Sequence, residues 1–197
     1  MLTECLGIPH ISTGEMLREA VRNGKGVTPK TAAKMHAGIL VKDEVVNAIV
    51  DYRLSQPDAA EGFVLDGYPR TLEQAEHFAG WLGSQNIHEL VIYLVVDYNV
   101  IIARLTGRRE CPRCGTPYNV VLRPPKVDEL CDLDGETLVR RDDDKEEVIR
   151  ARLEAYEQQT RPVLEYFETN GGRVIRVEAG NDSPEAVYGR IRQAMEN

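Results

Sequence analysis

Two kinds of hydrophobic pattern share this chain. Phe63-Val64-Leu65 and Leu90–Val96 are apolar without alternation, which predicts short strands buried on both faces, as in a parallel sheet. Ile8–Ile11 and Arg173–Glu178 predict two more strands. The segments between them carry helix signals. Residues 1–7 offer only Leu2, Cys5 and Leu6 as an apolar face, and Gly7 stops a helix that has barely begun. Ser12-Thr13-Gly14-Glu15 is a capping box that opens a helix to about Asn23, with Gly24 as its stop. Thr28-Pro29 starts another, ended by Gly38. Asp43 caps a helix to about Gln56, with Val45, Val46, Ile49, Val50 and Leu54 on one face. Pro57 to Glu61 is a loop. Thr71-Leu72-Glu73-Gln74 is a second capping box, for a helix to about Gly83. Asp97 caps a helix to about Thr106. A long helix after Asp144 is bent or restarted by Pro162, and Ser183 caps the last one, with Pro184 at its first position. Strands that alternate with helices predict an α/β fold with a parallel sheet flanked by helices.

Residues from about Arg109 to Asp142 break the alternation and predict a small inserted domain (109–142) within a core made of 1–108 and 143–197. The insert carries Cys111-Pro-Arg-Cys114 and, after sixteen residues, Cys131-Asp-Leu-Asp134. Two such knuckles are the usual way to build a tetrahedral zinc site. Carboxylate oxygen is a permissible zinc ligand, so Cys111, Cys114, Cys131 and Asp134 form a candidate Cys₃Asp set, closed and structural. The competing reading is three unrelated thiols. Cys5 stands apart and reads as a buried apolar residue.

The charge narrows the function classes. A net charge of −8 argues against non-specific nucleic-acid binding. No run approaches a membrane span and the first residues do not form a signal peptide, so the expected location is cytoplasmic.

Candidate chemistry gathers around Gly62–Thr71. Asp66 and Gly67 end the Phe63–Leu65 strand, Pro69 sets a turn, and Arg70 sits before the next helix. Ligands of open α/β sheets bind outside the carboxyl ends of the strands. An arginine fork suits a phosphate there, although Asp66 and Arg70 could equally be a structural ion pair. Thr13 and Arg18 flank a helix amino end, where anions are favoured, and Ile39-Leu40-Val41 has backbone groups free for a ligand. Gln74 can pair bidentately with an adenine edge, or simply face solvent. Arg104 and Arg108 share a face if their helix continues, and with Arg109 they suggest a bound polyanion or a solvated face paired with acids.

The chain resembles adenylate kinase, in its long, zinc-bearing bacterial form. Ile11-Ser12-Thr13-Gly14-Glu15-Met16-Leu17-Arg18, Leu65-Asp66-Gly67-Tyr68-Pro69-Arg70-Thr71 and Gly107-Arg108-Arg109 stand in that family's order and spacing, and the knuckles match its lid. The match covers essentially the whole chain. The resemblance implies transfer of a phosphoryl group from ATP to AMP, giving two ADP, with Mg²⁺ accompanying ATP and structural Zn²⁺ in the lid. It implies a monomer, with no nucleic-acid or membrane partner. It places Thr13, Arg18, Ile39, Leu40, Val41, Gly67, Tyr68, Pro69, Arg70 and Gln74 on the AMP site, with 12–41 as the AMP-binding segment of the core. Arg70, Arg104, Arg108, Arg141 and Arg152 surround the transferring phosphoryl group, Arg141 and Arg152 also touching AMP. Arg108, Pro117, Tyr118 and Asn181 or Asp182 contact ATP, and Asp66 reaches the magnesium through water. Glu15 stands where aspartate is common.

One departure is large. The family opens with a strand, a glycine-rich phosphate loop ending in Gly-Lys, and a helix. That unit is not among these residues, and Gly24-Lys25-Gly26 lacks the full G-x-x-x-x-G-K-[ST] pattern. By resemblance its strand is the middle one of five, so a slot is expected between the Phe63–Leu65 and Leu90–Val96 strands. The expectation is a P-loop-kinase-like sheet without its central strand, in an amino-terminally truncated or incomplete product. A second reading is therefore an AMP-binding protein of this family that transfers phosphate poorly.

Overall fold

The structure, a computed structural model, describes residues 1–23, 33, 37, 39–180 and 182–196. The Gly24 stop, Asn181 and nearly all of the helix expected between Thr28 and Gly38 lie outside the described residues. The first helix, α1 (Leu2–Leu6), is one turn long and ends at Gly7, whose φ of 69° only glycine takes without strain. It buries none of its residues, and Cys5 is exposed rather than buried, because one turn cannot wrap a face around a core.

Strand β1 (His10–Ser12) pairs in parallel with β2 (Val64–Asp66), Ile11 opposite Leu65. It starts later than the expected Ile8–Ile11 run. Pro9 has no N–H for a ladder, and only its carbonyl is used, by Val64 N at 2.9 Å. The second pair is β3 (Leu90–Val95) with β6 (Arg173–Glu178), parallel from Leu90–Arg173 to Val95–Glu178. Among the described strands no ladder joins β2 to β3. A cavity of about 1060 Å³ lies there, lined by Phe63, Leu65, Leu90, Ile92, Tyr156 and Leu164 among others. This is the expected slot. It also explains why β2 and β3 are half-buried rather than covered on both faces, with Leu94 45% exposed.

The helices pack where their apolar stripes direct. Helix α2 (Thr13–Asn23) buries Leu17, and α3 (Asp43–Leu54) buries Val46, Val50 and Leu54. Helix α4 (Leu72–Gln85) adds Ala75, Phe78 and Leu82 to the same core, with Trp81 stacked on Phe78 and Tyr68 edge-on to it. Thr71 caps α4 as expected, accepting from Gln74 N at 3.2 Å. The helix passes Gly83, ending at Asn86 with φ 55°. Asp43 does not cap α3. Lys42 holds that position and the Asp43 carboxylate turns to other partners. Helix α5 (Tyr98–Thr106) is capped by Asp97, which accepts from Asn99 N at 2.8 Å. Pro162 restarts the long helix: α6 (Glu146–Ala155) loosens to a π-helical turn at Tyr156–Thr160 before α7 (Arg161–Thr169). Helix α8 (Pro184–Glu196) follows the Ser183 cap.

The insert folds on its own small scale. Strand β4 (Arg108–Glu110) pairs antiparallel with β5 (Pro117–Asn119), and Glu110 bridges to Val139. Cys111, Tyr118, Cys131 and Leu138 form a separate buried cluster. Because β4 begins at Arg108, Arg104 and Arg108 do not share a helix face. Among the described residues no helix is long and apolar enough to cross a membrane.

Ile11 is 1% exposed at the centre of β1. Replacing it by alanine removes buried methylenes from a site hemmed in by strand pairing. Ile11→Ala should cost about 2–5 kcal/mol, measured by urea unfolding.

Candidate functional site

The carboxyl ends of β1 and β2 lie side by side, so the residues that follow each strand meet. Thr13, at the start of α2, is 3% exposed and donates to the Gly67 carbonyl at 2.8 Å. Gly67 takes φ 75°, and Arg70 Nε donates to the same carbonyl at 2.8 Å. A Cβ on Gly67 would stand 2.8 Å from Arg70 Nη2 and 3.0 Å from Thr13 Oγ1, so only glycine fits. A small cleft of about 100 Å³ opens beside this junction. Its walls include Thr13, Arg18, the Ile39–Val41 segment, Gly67, Arg70, Gln74 and Arg152. Gln74 is 2% exposed. It accepts from Arg70 N at 2.8 Å and donates to Asp43 at 2.6 Å, so it is held rather than solvated.

Two expected members stand back from the cleft. Tyr68 turns into the core, its hydroxyl donating to Asn47 at 2.7 Å. Burial, and then the carboxylates of Asp51 and Asp43, push its ionisation well above the ordinary tyrosine range. Pro69 follows it across a cis peptide bond. Asp66 is exposed at the end of β2, with His10 Nε2 3.5 Å from its carboxylate, and it makes no direct salt bridge with Arg70.

The arginines divide into two sets. Arg18, Arg70, Arg141 and Arg152 feel one another. Burial lowers the proton affinity of Arg70, and Arg152 lowers it further. Burial and then Arg141 do the same to Arg18. Guanidinium stays charged, so such depression marks mutual repulsion in a poorly hydrated place, the condition an anion relieves. Arg152 also meets Asp143 at 3.2 Å, and Arg141 pairs with Glu110. The second set lies apart from this cleft. Arg108 grips the fully buried Asp144 through two hydrogen bonds, one of 2.8 Å. Arg104 donates to the carbonyls of Gly180 and Asp182, while the Asp182 carboxylate pairs with Arg190 at 2.6 Å.

In the insert, the two knuckles fold alike. Gly115 N donates to Cys111 O, and Gly135 N to Cys131 O, both at 2.9 Å. Gly115 and Gly135 both take positive φ, 74° and 69°. Each turn aims its first and fourth side chains the same way. Ligand atoms of Cys111, Cys114, Cys131 and Asp134 all lie within 4.8 Å of one another. Cys114 and Cys131 sulfurs are 3.6 Å apart, and Cys111 Sγ is 3.4 Å from Asp134. A tetrahedron with zinc–sulfur bonds of about 2.3 Å has edges of about 3.8 Å, so this donor set fits such an ion. Pro117 is exposed beside it. Tyr118 is buried against the cluster, its hydroxyl accepting from Asp132 N at 2.8 Å and meeting Cys131 Sγ at 3.5 Å.

Sequence reasoning missed Asp43, Asn47, Asp143 and Asp144 as partners of the site. The Arg140–Asp144 run signals charge pairing, but nothing in it says which carboxylate meets which arginine.

The adenylate kinase family model matches residues 1–172. The chain is 43% identical over 189 residues to an adenylate kinase of Thermoanaerobacter sp. (strain X514), covering 95% of this chain and 86% of that protein. It is 49% identical over 172 residues to one of Syntrophotalea carbinolica (87% and 80%) and 47% identical over 173 residues to one of Thermotoga maritima (86% and 78%). Nothing among these relatives favours the reading as an impaired AMP-binding protein. The paired strand ends, the arginine-lined cleft and this similarity lead to one conclusion: the chain belongs to the adenylate kinase family, the nucleoside monophosphate kinases that use Mg-ATP.

Proposed function

We propose an assignment of residues to roles in the reaction ATP + AMP to two ADP. The observation that carries it is the cleft itself, where Thr13, Arg18, Ile39–Val41, Gly67, Arg70, Gln74 and Arg152 converge. AMP occupies this cleft, its base toward Gln74 and its phosphate among Arg18, Arg70, Arg141 and Arg152. Tyr68 and Pro69 support it from behind, shaping the turn that carries Gly67 and Arg70. Phosphoryl transfer spreads charge over the equatorial oxygens, and cations fixed in advance stabilise that charge without reorganising. Arg70 and Arg152 are the fixed cations on the AMP side, and Arg104 and Arg108 are those on the ATP side. Pro117 and Tyr118 mark the lid contacts to ATP, and the Asp182 backbone meets its adenine.

Mg²⁺ bound with ATP would neutralise phosphate charge. An exposed carboxylate at a strand end suits an ion that keeps most of its waters, which makes Asp66 the residue to reach it. Residues 109–142 act as a lid, core residues 1–108 and 143–197 as its base, and 12–41 as the AMP-binding segment. The lid knuckles hold zinc. Three thiolate ligands persist in a reducing compartment, which supports a cytoplasmic setting.

Removing Arg70 takes a preorganised cation from the reacting phosphate. Arg70→Ala should lower kcat by about 10²–10³-fold in a coupled assay of ADP formation. Arg70→Lys should not restore it, because the ammonium lacks the bidentate fork.

Gln74→Ala should weaken the preference for AMP over other monophosphates. A bidentate amide–base pair is worth about 1–3 kcal/mol of discrimination, so calorimetry should show a loss of roughly 5- to 150-fold. Equal affinities of the unaltered protein for AMP and GMP would remove Gln74 from this role.

Metal analysis of protein purified without chelator should find about one zinc per chain. Cys131→Ser should lower zinc content and the melting temperature of the lid. Zinc retained after all three thiols are replaced would exclude the assignment.

A further inference from the structure

Asp43 sits in the first turn of α3, where an acid ordinarily just faces the helix amino end. Here both of its oxygens are engaged with another element. One accepts from Gln74 Nε2 at 2.6 Å and the other from Thr71 Oγ1 at 2.9 Å. Thr71 Oγ1 in turn accepts from the backbone N–H of Gln74 at 3.2 Å, which closes a ring of three residues across two helices. On the far side of the same amide, Gln74 Oε1 accepts from Arg70 N at 2.8 Å.

The chemistry of these partners leaves Gln74 one orientation. A carboxylate only accepts, so the amide edge facing Asp43 is the NH₂. A backbone N–H only donates, so the edge facing Arg70 is the oxygen. Flipping the amide would set oxygen against carboxylate and NH₂ against N–H, losing two hydrogen bonds in a site that is 2% exposed. The Gln74 side chain, so held, keeps one N–H and one lone pair for a ligand, in a fixed order. Adenine offers an amino donor where a 6-oxopurine offers an acceptor. An amide free to flip serves both; one that is held serves one of them.

We propose that Asp43 is a positioning residue for base specificity: by fixing the order of donor and acceptor on Gln74, it makes the cleft select a 6-aminopurine over a 6-oxopurine. The inference rests on the reading that Gln74 faces the AMP base, and the test separates the two.

The experiment measures equilibrium binding of AMP and of inosine monophosphate by calorimetry, with kcat and KM for each, on Asp43→Ala, Asp43→Asn, Gln74→Ala and the double variant Asp43→Ala/Gln74→Ala. Asp43→Ala should lower the AMP-to-IMP affinity ratio about tenfold, the loss falling mainly on KM for AMP. Asp43→Asn can still offer an oxygen to Gln74 Nε2 and should recover part of the ratio. The double variant should be no less selective than Gln74→Ala alone, because the two residues act through one contact. An acid that only stabilised α3 would shift the melting temperature and leave the ratio untouched. An unchanged ratio in Asp43→Ala, while Gln74→Ala loses it, would overturn the inference. An unchanged ratio in Gln74→Ala would overturn the reading of the base contact instead. Should Asp43→Ala fail to fold, Asp43→Asn decides: a ratio lowered part of the way toward that of Gln74→Ala counts for the inference, and a ratio equal to that of the unaltered protein at a lowered melting temperature counts against it.

Discussion

The Gly67 carbonyl is the point on which the site depends. It accepts from Thr13 Oγ1, carried by the element after β1, and from Arg70 Nε, carried by the element after β2, each at 2.8 Å. One backbone oxygen thereby couples two strand ends to two helix starts. The arrangement requires a left-handed backbone with no side chain, and a methyl group there would collide with Arg70 and Thr13. Arg70 is held through Nε and through its own N–H, which bonds Gln74. Its fork is aimed before any ligand arrives, which is the condition for a cation to stabilise developing charge without reorganisation.

Around that junction the acids of a net-negative chain serve as partners for the arginines. Asp143 meets Arg152, Glu110 meets Arg141, and Asp144 meets Arg108. The first two pairs are partly exposed and exchangeable. The third is different, because Asp144 is fully buried and both its oxygens are bound. Leaving either partner alone there would strand a desolvated charge. Arg108 immediately precedes the insert and Asp144 follows it, so this pair ties together the two places where the chain leaves and re-enters the core.

The insert and the core are held by different means. The core buries Ile11, Val50, Ala75 and Phe167 among others. The insert buries four residues, two of them cysteines, and exposes Val121, Val127 and Leu133. So small a cluster cannot supply much hydrophobic stabilisation, and the two matching knuckles show where a metal ion would add to it.

Much of this was legible locally. Apolar runs marked β3 and β6, Thr71 and Asp97 marked helix starts, and knuckle spacing alone grouped Cys111, Cys114, Cys131 and Asp134, because these signals act over a few residues and need no distant partner. Asp43, Cys5 and the Arg104–Arg108 pair went the other way. Asp43 reads as a cap, yet residues 28 and 31 positions along the chain, Thr71 and Gln74, compete for its oxygens and win. Cys5 reads as buried, but whether one turn of helix finds a surface to cover is decided by packing. Arg104 and Arg108 have helical spacing, but the chain leaves the helix at Gly107 to pair β4 with β5, and the two guanidinium groups part toward Gly180 and Asp144. Which carboxylate answers which arginine is a matter of distance in space, and a single sequence records only distance along the chain.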